Sequence, residues 1–458
     1  MTFAPFKLHP RLLQGLKEMG FARPTPIQSD AIPPAIEGRD VLACAMTGSG
    51  KTVAFLLPVL NHLLAHPRRG AAGTRALIVT PTRELAAQIL EELNALAVHT
   101  SITAAAIFGG VGTGPQEHAF RAGVDVMVAT PGRLLDHLKR PYASLSQVQY
   151  LVLDEADRML DMGFLPDIKR VLKHVPAARQ TLFFSATMPK PILELTREML
   201  HNPATINLER KSAPAVGITQ AVYPVAQELK TSLLLELLNR DLMNEALVFT
   251  RTKHRADRVW KYLTREGIAA ARIHGNRSQG QRTDALSGFK TGTYRVLVAT
   301  DIAARGIDVE ALGHVVNFDV PAAPEDYIHR VGRTARAEMT GEAFTFVSPV
   351  EMDDLKAIER AIGKSLPRVT LPDFNDDAKP VAQLEIPIAE RLAAYRAQRS
   401  VARERAKQKE QKQQEQQRPQ LQQTPRAAPA SASASASQDR NKRRRKRRRG
   451  GRGRGTTR

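Results

Sequence analysis

Short apolar runs rich in β-branched residues alternate with longer segments of helical period along most of this chain. The runs occupy 76–80, 124–130, 150–153 and 181–184, then 246–250, 271–274, 294–300, 314–319 and 343–347. Runs this short and this apolar read as parallel strands buried on both faces. Strands alternating with helices imply βαβ units, and so an α/β fold with helices covering a parallel sheet. The series breaks at 209–217, ERKSAPAVG, a polar stretch with a proline that ends in glycine. The expected organisation is one α/β domain over 1–208, a linker over 209–217 and a second α/β domain over 218–370. That second domain closes on a helix over 352–363.

Beyond about residue 373, Gln, Arg, Lys, Ala and Ser dominate and large apolar residues nearly vanish. Such a stretch buries too little apolar surface to offset chain entropy, so 371–458 is expected to be a disordered tail. The good helix formers of 388–417 are compatible with a wholly polar helix there. From Arg440 to the C-terminal Arg458 there are twelve basic residues and no acidic one, against a net charge of +21 for the chain. More than half of the net charge therefore sits in the tail. A balance of this kind favours a polyanion, nucleic acid first and an anionic membrane surface second. The single cysteine, Cys44, excludes an intrachain disulfide and suits a reducing cytosol. No apolar run approaches the ~20 residues that span a bilayer. The start, MTFAPFKLHP, has no leader pattern. A cytoplasmic protein without a membrane partner is expected.

Polar and glycine-rich clusters follow the expected strands directly: PTRE at 81–84, TPGR at 130–133, DE at 154–155, SAT at 185–187, TR at 250–251 and TD at 300–301. Open α/β sheets bind ligands at the carboxyl ends of their strands. One cluster is specific. AMTGSGKT, at 45–52, is a variant phosphate loop in which Ala45 replaces the first glycine. Thr47, Gly48, Ser49 and Gly50 would let backbone N–H groups wrap phosphates at a helix N-terminus. Lys51 would bridge the β- and γ-phosphates and Thr52 would hold Mg²⁺. Asp154 closes a buried strand, a position suited to the same metal through water, and Glu155 would orient or deprotonate the attacking water. The second half contains no such loop. It offers HRVGRTAR at 329–336, whose arginines would share one face if helical.

AMTGSGKT, DEAD, SAT and HRVGRTARA, in this order and spacing, resemble the DEAD-box RNA helicases of superfamily two over about residues 1–370. GFARPTPIQ and YIHRVGRTARAEMTGEA are similar to the bacterial RhlE subgroup. The resemblance implies two tandem RecA-like domains, an RNA-dependent ATPase activity, and ATP and Mg²⁺ as cofactors. It assigns Gln28 to the adenine edge and sets Phe3 near an upstream aromatic position. Phe21 is either a base-stacking residue or a core phenylalanine. It sends Arg333 and Arg336 to the γ-phosphate, Asp308 to the ribose, and His329 and Arg330 to coupling with the first domain. Ser185 and Thr187 are implied links between hydrolysis and unwinding. Thr82, Arg83, Gly110, Thr130 and Arg133 would line an RNA track in the first domain, and Thr250, Arg251, Gln279, Arg282 and Thr300 in the second. Few aromatics occur in these clusters, which fits phosphate and sugar contacts, not base reading.

The expected function is ATP-driven separation of short RNA duplexes and remodelling of RNA–protein complexes. An ATP-gated RNA clamp and a DNA helicase are the competing readings. Single-stranded and short duplex RNA are the expected partners, with ribosomal precursors or RNA-decay enzymes behind them. The basic run 442–454 reads as a non-specific RNA tether.

Overall fold

The computed structural model describes residues 2–45, 48–68, 73–207, 218–304, 312–334 and 341–374. The linker, the tail and the polar helix expected over 388–417 lie outside them, apart from residues at their margins. In the first domain the strands are β1 (Val41–Cys44), β2 (Ala76–Val79), β3 (Ala104–Ile107), β4 (Val126–Ala129), β5 (Tyr150–Leu153), β6 (Gln180–Ser185) and β7 (Ala204–Asn207). They form one parallel sheet in the order β3-β4-β2-β5-β6-β1-β7. In the second domain β8 (Ile218–Pro224), β9 (Ala246–Thr250), β10 (Ala270–Ile273), β11 (Val296–Thr300), β12 (His314–Asn317) and β13 (Gly341–Val347) form another. Its order is β10-β11-β9-β12-β13-β8, again parallel throughout. The expected α/β architecture is therefore observed twice.

Strand alternation explains the two-sided core. Ile78, Val126, Val152 and Leu182 point into one apolar layer, shared with the helices Pro26–Ile36 and Lys51–Ala65. Leu77, Met127, Leu151 and Phe183 point into the opposite layer. Parallel sheets covered on both faces require such continuous apolar strands.

Besides β1, which leads directly into the loop at 45–52, three strands had no clear sequence signal: β3, β7 and β8. All three are edge strands. β3 is AAAI, with little side chain to pack, and β7 and β8 are only partly buried. An edge strand buries less and so carries a weaker apolar pattern. The expected helix at 352–363 is Met352–Ile362, capped by Gly363 at φ 67°. After it the chain returns to β8, where Arg368 bridges Val222.

At the amino ends of β2 and β4 the buried Asp125 gathers several donors. Arg75 Nη2 lies at 2.9 Å, Arg68 Nη2 at 2.8 Å, Thr103 N at 3.0 Å and Thr103 Oγ1 at 2.9 Å. This cluster staples β2 to β3 and β4 at the edge away from the functional loops. Among the described residues no helix is long and apolar enough to cross a membrane.

Candidate functional site

The strand order brings three clusters together. β6 lies between β1 and β5, so the loop after β1, the serine closing β6 and the acids after β5 are neighbours. The helix Lys51–Ala65 begins immediately after Gly50, which adopts φ 90°. Gly48 is also left-handed, at φ 76°. Glycine supplies these conformations without a Cβ penalty. Gly50 is needed a second way: a Cβ there would come within 2.6 Å of Gln28 Nε2.

Gln28 is fully buried. Its Oε1 accepts from Thr25 N at 2.9 Å and its Nε2 donates to Gly50 O at 3.1 Å. The side chain thus braces the helix Pro26–Ile36 against the phosphate loop. Phe21 packs at the margin of the first apolar layer and Phe3 is buried within it, 5.9 Å from Phe6 edge to face. Lys51 is buried and donates to Ala45 O at 3.1 Å, which folds its amine back over the loop. Ser49 and Thr52 are half-buried beside it. Thr47 lies outside the described residues.

Asp154 and Glu155 are both buried. Asp154 Oδ1 accepts from Glu155 N at 3.0 Å. Burial pushes the Asp154 carboxyl up to about 6; Lys51 opposes the rise and Glu155 adds to it. Glu155 sits at φ 53°, an uncommon conformation for a side chain with a Cβ, and starts the helix Ala156–Asp161. Its Oε2 has no hydrogen-bond partner and lies 3.4 Å from Arg158 Nη1. Asp157 faces the next strand. Its Oδ2 accepts from Thr187 N at 2.7 Å and Thr187 Oγ1 at 2.8 Å. Burial works to raise the Asp157 carboxyl, but the Thr187 hydroxyl, Lys51 and Arg158 together hold it below its usual range. Ser185 Oγ accepts from Asp157 N at 3.1 Å and donates to Thr187 O at 2.7 Å. Ser185 and Thr187 are therefore wired directly to the acidic cluster.

The second domain closes this site. Arg158 Nη2 lies 3.2 Å from His329 Nδ1, a contact spanning 171 positions of sequence. An arginine has only donors, so the ring nitrogen facing it is the acceptor. Arg333 is buried nearby, in the same small cavity wall as Arg158, His329 and Asp301. Two expectations change here. The helix carrying His329 is Pro324–Val331, so Arg333 lies past its end and not one turn along it. Among the described residues, Arg330 keeps its hydrogen bonds within the second domain. It binds Asp301 at 2.6 and 2.7 Å, Asn317 Oδ1 at 3.1 Å and Asp319 O at 2.8 Å, all in the second domain. Burying a guanidinium requires such a full set of acceptors. Arg330 thereby fixes the helix that presents His329. Arg336 and Asp308 lie outside the described residues.

The residues expected along an RNA track gather at the same sheet edges, but not all point outward. Thr82 and Thr250 are buried: Thr82 Oγ1 caps a helix by accepting from Leu85 N at 3.3 Å, and Thr250 Oγ1 donates to Ala299 O at 3.3 Å. Thr130 is buried with its hydroxyl toward Ile107 O. Arg83 lies against the turn formed by Gly109 and Gly110; a Cβ on Gly110 would fall 2.0 Å from Arg83 Nη1. Burial and the nearby Arg282 lower the Arg83 pKa from its ordinary value. Arg133 donates to Val111 O at 3.2 Å, and Arg251 is exposed, reaching Val320 O and Asp354. Thr300 is half-buried at the end of β11.

Gln279 and Arg282 make a contact that the sequence reading did not foresee. Arg282 Nε and Nη2 each lie 2.8 Å from the Glu84 carboxylate, and Gln279 Nε2 donates to Glu84 Oε1 at 3.0 Å. This is a second cross-domain contact; Gln279 Oε1 stays buried without a hydrogen-bond partner. Glu84, Asp157 and Arg158 are the residues the sequence reading left without a role. Glu84 stood within the quoted PTRE cluster, and the other two adjoin Glu155.

Among the described residues no group of three or more His, Cys, Asp or Glu forms a protein-only metal site. The residues present fit a different arrangement. A buried carboxylate with a raised pKa and an orphaned Glu155 oxygen beside the phosphate loop suit a cation that takes most of its oxygens from phosphate and water.

Comparison with known proteins gives the family. Residues 25–195 match the DEAD/DEAH box helicase family and residues 229–338 the helicase conserved C-terminal domain. The chain is 41% identical over 374 residues to the ATP-dependent RNA helicase CshA of Listeria monocytogenes, spanning 82% of this chain and 71% of that one. It is 42% identical over 376 residues to the DEAD-box ATP-dependent RNA helicase CshA of Bacillus licheniformis, spanning 82% and 76%. The structure is similar to S. cerevisiae Dbp5 bound to RNA and ADP BeF3, with a TM-score of 0.74, 31% identity and coverage of 81% and 96%. These relatives carry the CshA name and give no support to the expected RhlE-like subgroup. The motifs behind that expectation sit in the shared core.

Proposed function

The chain belongs to the DEAD-box ATP-dependent RNA helicases, and we propose that it hydrolyses ATP in a pocket shared by both domains and uses their closure to pull short RNA duplexes apart. The single observation behind this reading is the Arg158–His329 contact, which joins the acidic cluster of one domain to the arginine-bearing segment of the other.

Lys51 and the backbone of 47–52 hold the β- and γ-phosphates. Gln28 retains one N–H and one lone pair for the adenine edge, and Phe21 stands close by. Glu155 orients the attacking water. Its second oxygen has no hydrogen-bond donor, so it can take one from water. Thr52, and Asp154 through water, would hold Mg²⁺, which neutralises charge on the phosphates. Arg333 and Arg336 supply positive charge to the γ-phosphate from the far side, and Asp308 takes the ribose. ATP then favours the closed pair and hydrolysis releases it.

Ser185 and Thr187 report the state of the acids to the first domain's RNA edge, where Arg83, Gly110, Thr130 and Arg133 lie. Arg251 and Thr300 hold the strand on the second domain. Gln279 and Arg282 act at the seam, not along the strand. We place the domain limits at 1–208 and 218–370, with 209–217 as linker and the basic tail as RNA tether. A cytoplasmic role in ribosome assembly or RNA turnover suits such an activity.

The test is strand release from a short RNA duplex, followed together with ATP turnover. Release that requires hydrolysable ATP and RNA, with little stimulation by DNA of the same sequence, supports the reading. ATP-dependent RNA retention without strand release would instead identify a clamp.

A further inference from the structure

The helix Lys253–Arg265 follows β9 and has an unusual outer face. Its buried side carries Ala256, Val259 and Leu263. On the opposite side, at spacings of four, three and four, stand His254, Arg258, Lys261 and Arg265. Residues so spaced form one stripe along a helix. Within the helix no acidic residue stands on this stripe; at its end Arg265 pairs with Glu266 at 2.8 Å, on the exposed surface. The helix Met352–Ile362 shows the ordinary pattern for a solvated face, mixing Asp353, Asp354 and Glu359 with Lys356 and Arg360. The one acid of the basic helix, Asp257, is already engaged by Arg272 and by His274, each at 3.0 Å.

The stripe begins where the two domains meet. Lys253 Nζ donates to Asn276 Oδ1 at 3.1 Å. Asn276 leads into the helix Gln279–Lys290, whose first turn holds Glu84 of the first domain. The same corner is over-supplied with positive charge. The Nε atoms of Arg272 and Arg277 are buried and have no hydrogen-bond partner. Arg272 stacks on Trp260 at 3.5 Å, which fixes its plane. A guanidinium held in a fixed plane suits an oxyanion with several acceptor oxygens. From His254 to Arg265 the stripe runs about 16 Å at 1.5 Å per residue.

We infer that the outer face of the helix Lys253–Arg265, with the Arg272–Arg277 corner, is a phosphate-binding surface for RNA that continues beyond the strand gripped between the domains. This rests on the RNA reading given above and extends it. The short gripped segment supports ATP turnover, and the stripe holds the flanking chain by its backbone, without reading bases.

The experiment uses the full chain with Lys261→Glu and Arg265→Glu, both exposed and neither among the residues placed at the ATP pocket. Affinity is measured for single-stranded RNAs of about 8 and about 30 nucleotides over a range of salt, with a non-hydrolysable ATP analogue present. The expected result is about tenfold weaker binding of the long RNA and unchanged binding of the short one. The slope of log affinity against log salt should flatten by about 1.4 for the long RNA, since each single-strand phosphate contact contributes about 0.7. Lys261→Arg with Arg265→Lys should keep the parental affinity. Unchanged long-RNA affinity and slope overturn the inference and mark the stripe as solvated or as a surface for a protein. An equal loss at both lengths also overturns it. ATP turnover stimulated by the short RNA is read alongside, so failure of the stripe is distinguishable from failure of the helicase reading.

Discussion

Glu84 of the first domain and Arg282 of the second pair through both carboxylate oxygens, each at 2.8 Å, with only 6% and 11% of the two side chains exposed. Few surface ion pairs matter, but a buried bidentate one across a moving seam does. Arg282→Ala leaves a buried carboxylate unpaired in the closed state. We expect ATP-dependent RNA affinity to fall at least tenfold while ATP binding without RNA stays within twofold. A double-mutant cycle with Glu84→Gln should return a coupling energy on the order of 2 kcal/mol. Additive effects would show that the pair does not hold the seam.

Glu155 occupies a left-handed conformation and keeps one buried oxygen without a hydrogen bond. Glu155→Gln preserves shape and removes the base. ATP and RNA binding should survive while turnover drops by about 10²-fold or more. Single-turnover hydrolysis at the parental rate would remove Glu155 from the chemistry.

Asp154 is the counterpart case, a carboxyl raised to about 6 by burial. The folded state therefore binds its proton more tightly than the unfolded chain. Between pH about 4 and 6 the folded form holds more protons, so stability falls as pH rises through that window. Asp154→Asn should stabilise the nucleotide-free protein at pH 7 by an amount on the order of 2–3 kcal/mol, and much less at pH 4. Equal shifts in denaturation midpoint at both pH values would contradict this. The same variant should lose turnover, a trade between site and stability.

Asp125 runs the other way. Burial tends to raise its carboxyl, but the Thr103 backbone, Arg75 and Arg68 hold it below the usual range. Its stabilisation is present above the unfolded value near 4 and is lost as pH falls through the folded one. Asp125→Ala should cost about 3 kcal/mol at pH 7, because it strands the buried guanidinium of Arg75. Acid titration of the variant's stability should be flatter than that of the parent.

Deleting residues 439–458 removes twelve basic side chains. RNA binding should weaken and its salt slope flatten, while ATP turnover at saturating RNA is retained. An unchanged slope would dismiss the tether.

Much of this molecule is legible in its sequence because parallel strands buried on both faces leave uninterrupted apolar runs. β2, β4 and β5 are of this kind, and the loops that follow them hold the site. The edge strands β3, β7 and β8 escaped because they bury too little. The phosphate loop and acids were recognisable from local motifs. Contacts between distant residues were not. Nothing local to Glu84 announces Arg282, and nothing in HRV distinguishes His329, which reaches across, from Arg330, which is held at home. Nor does the sequence show that the hydroxyls of Thr82 and Thr250 are buried against a helix start and a strand carbonyl, since capping and ligand contact draw on the same residue type at strand ends.

The placement of β6 between β1 and β5 carries a mechanical corollary. Neighbouring strands stand about 4.8 Å apart and share a ladder of hydrogen bonds. The phosphate loop and the water-orienting acid cannot separate without disturbing the strand wedged between them. Ser185 and Thr187 hang from its carboxyl end. Any shift between the loop after β1 and the acids after β5 must therefore displace that tip, which lies in the middle of the sheet.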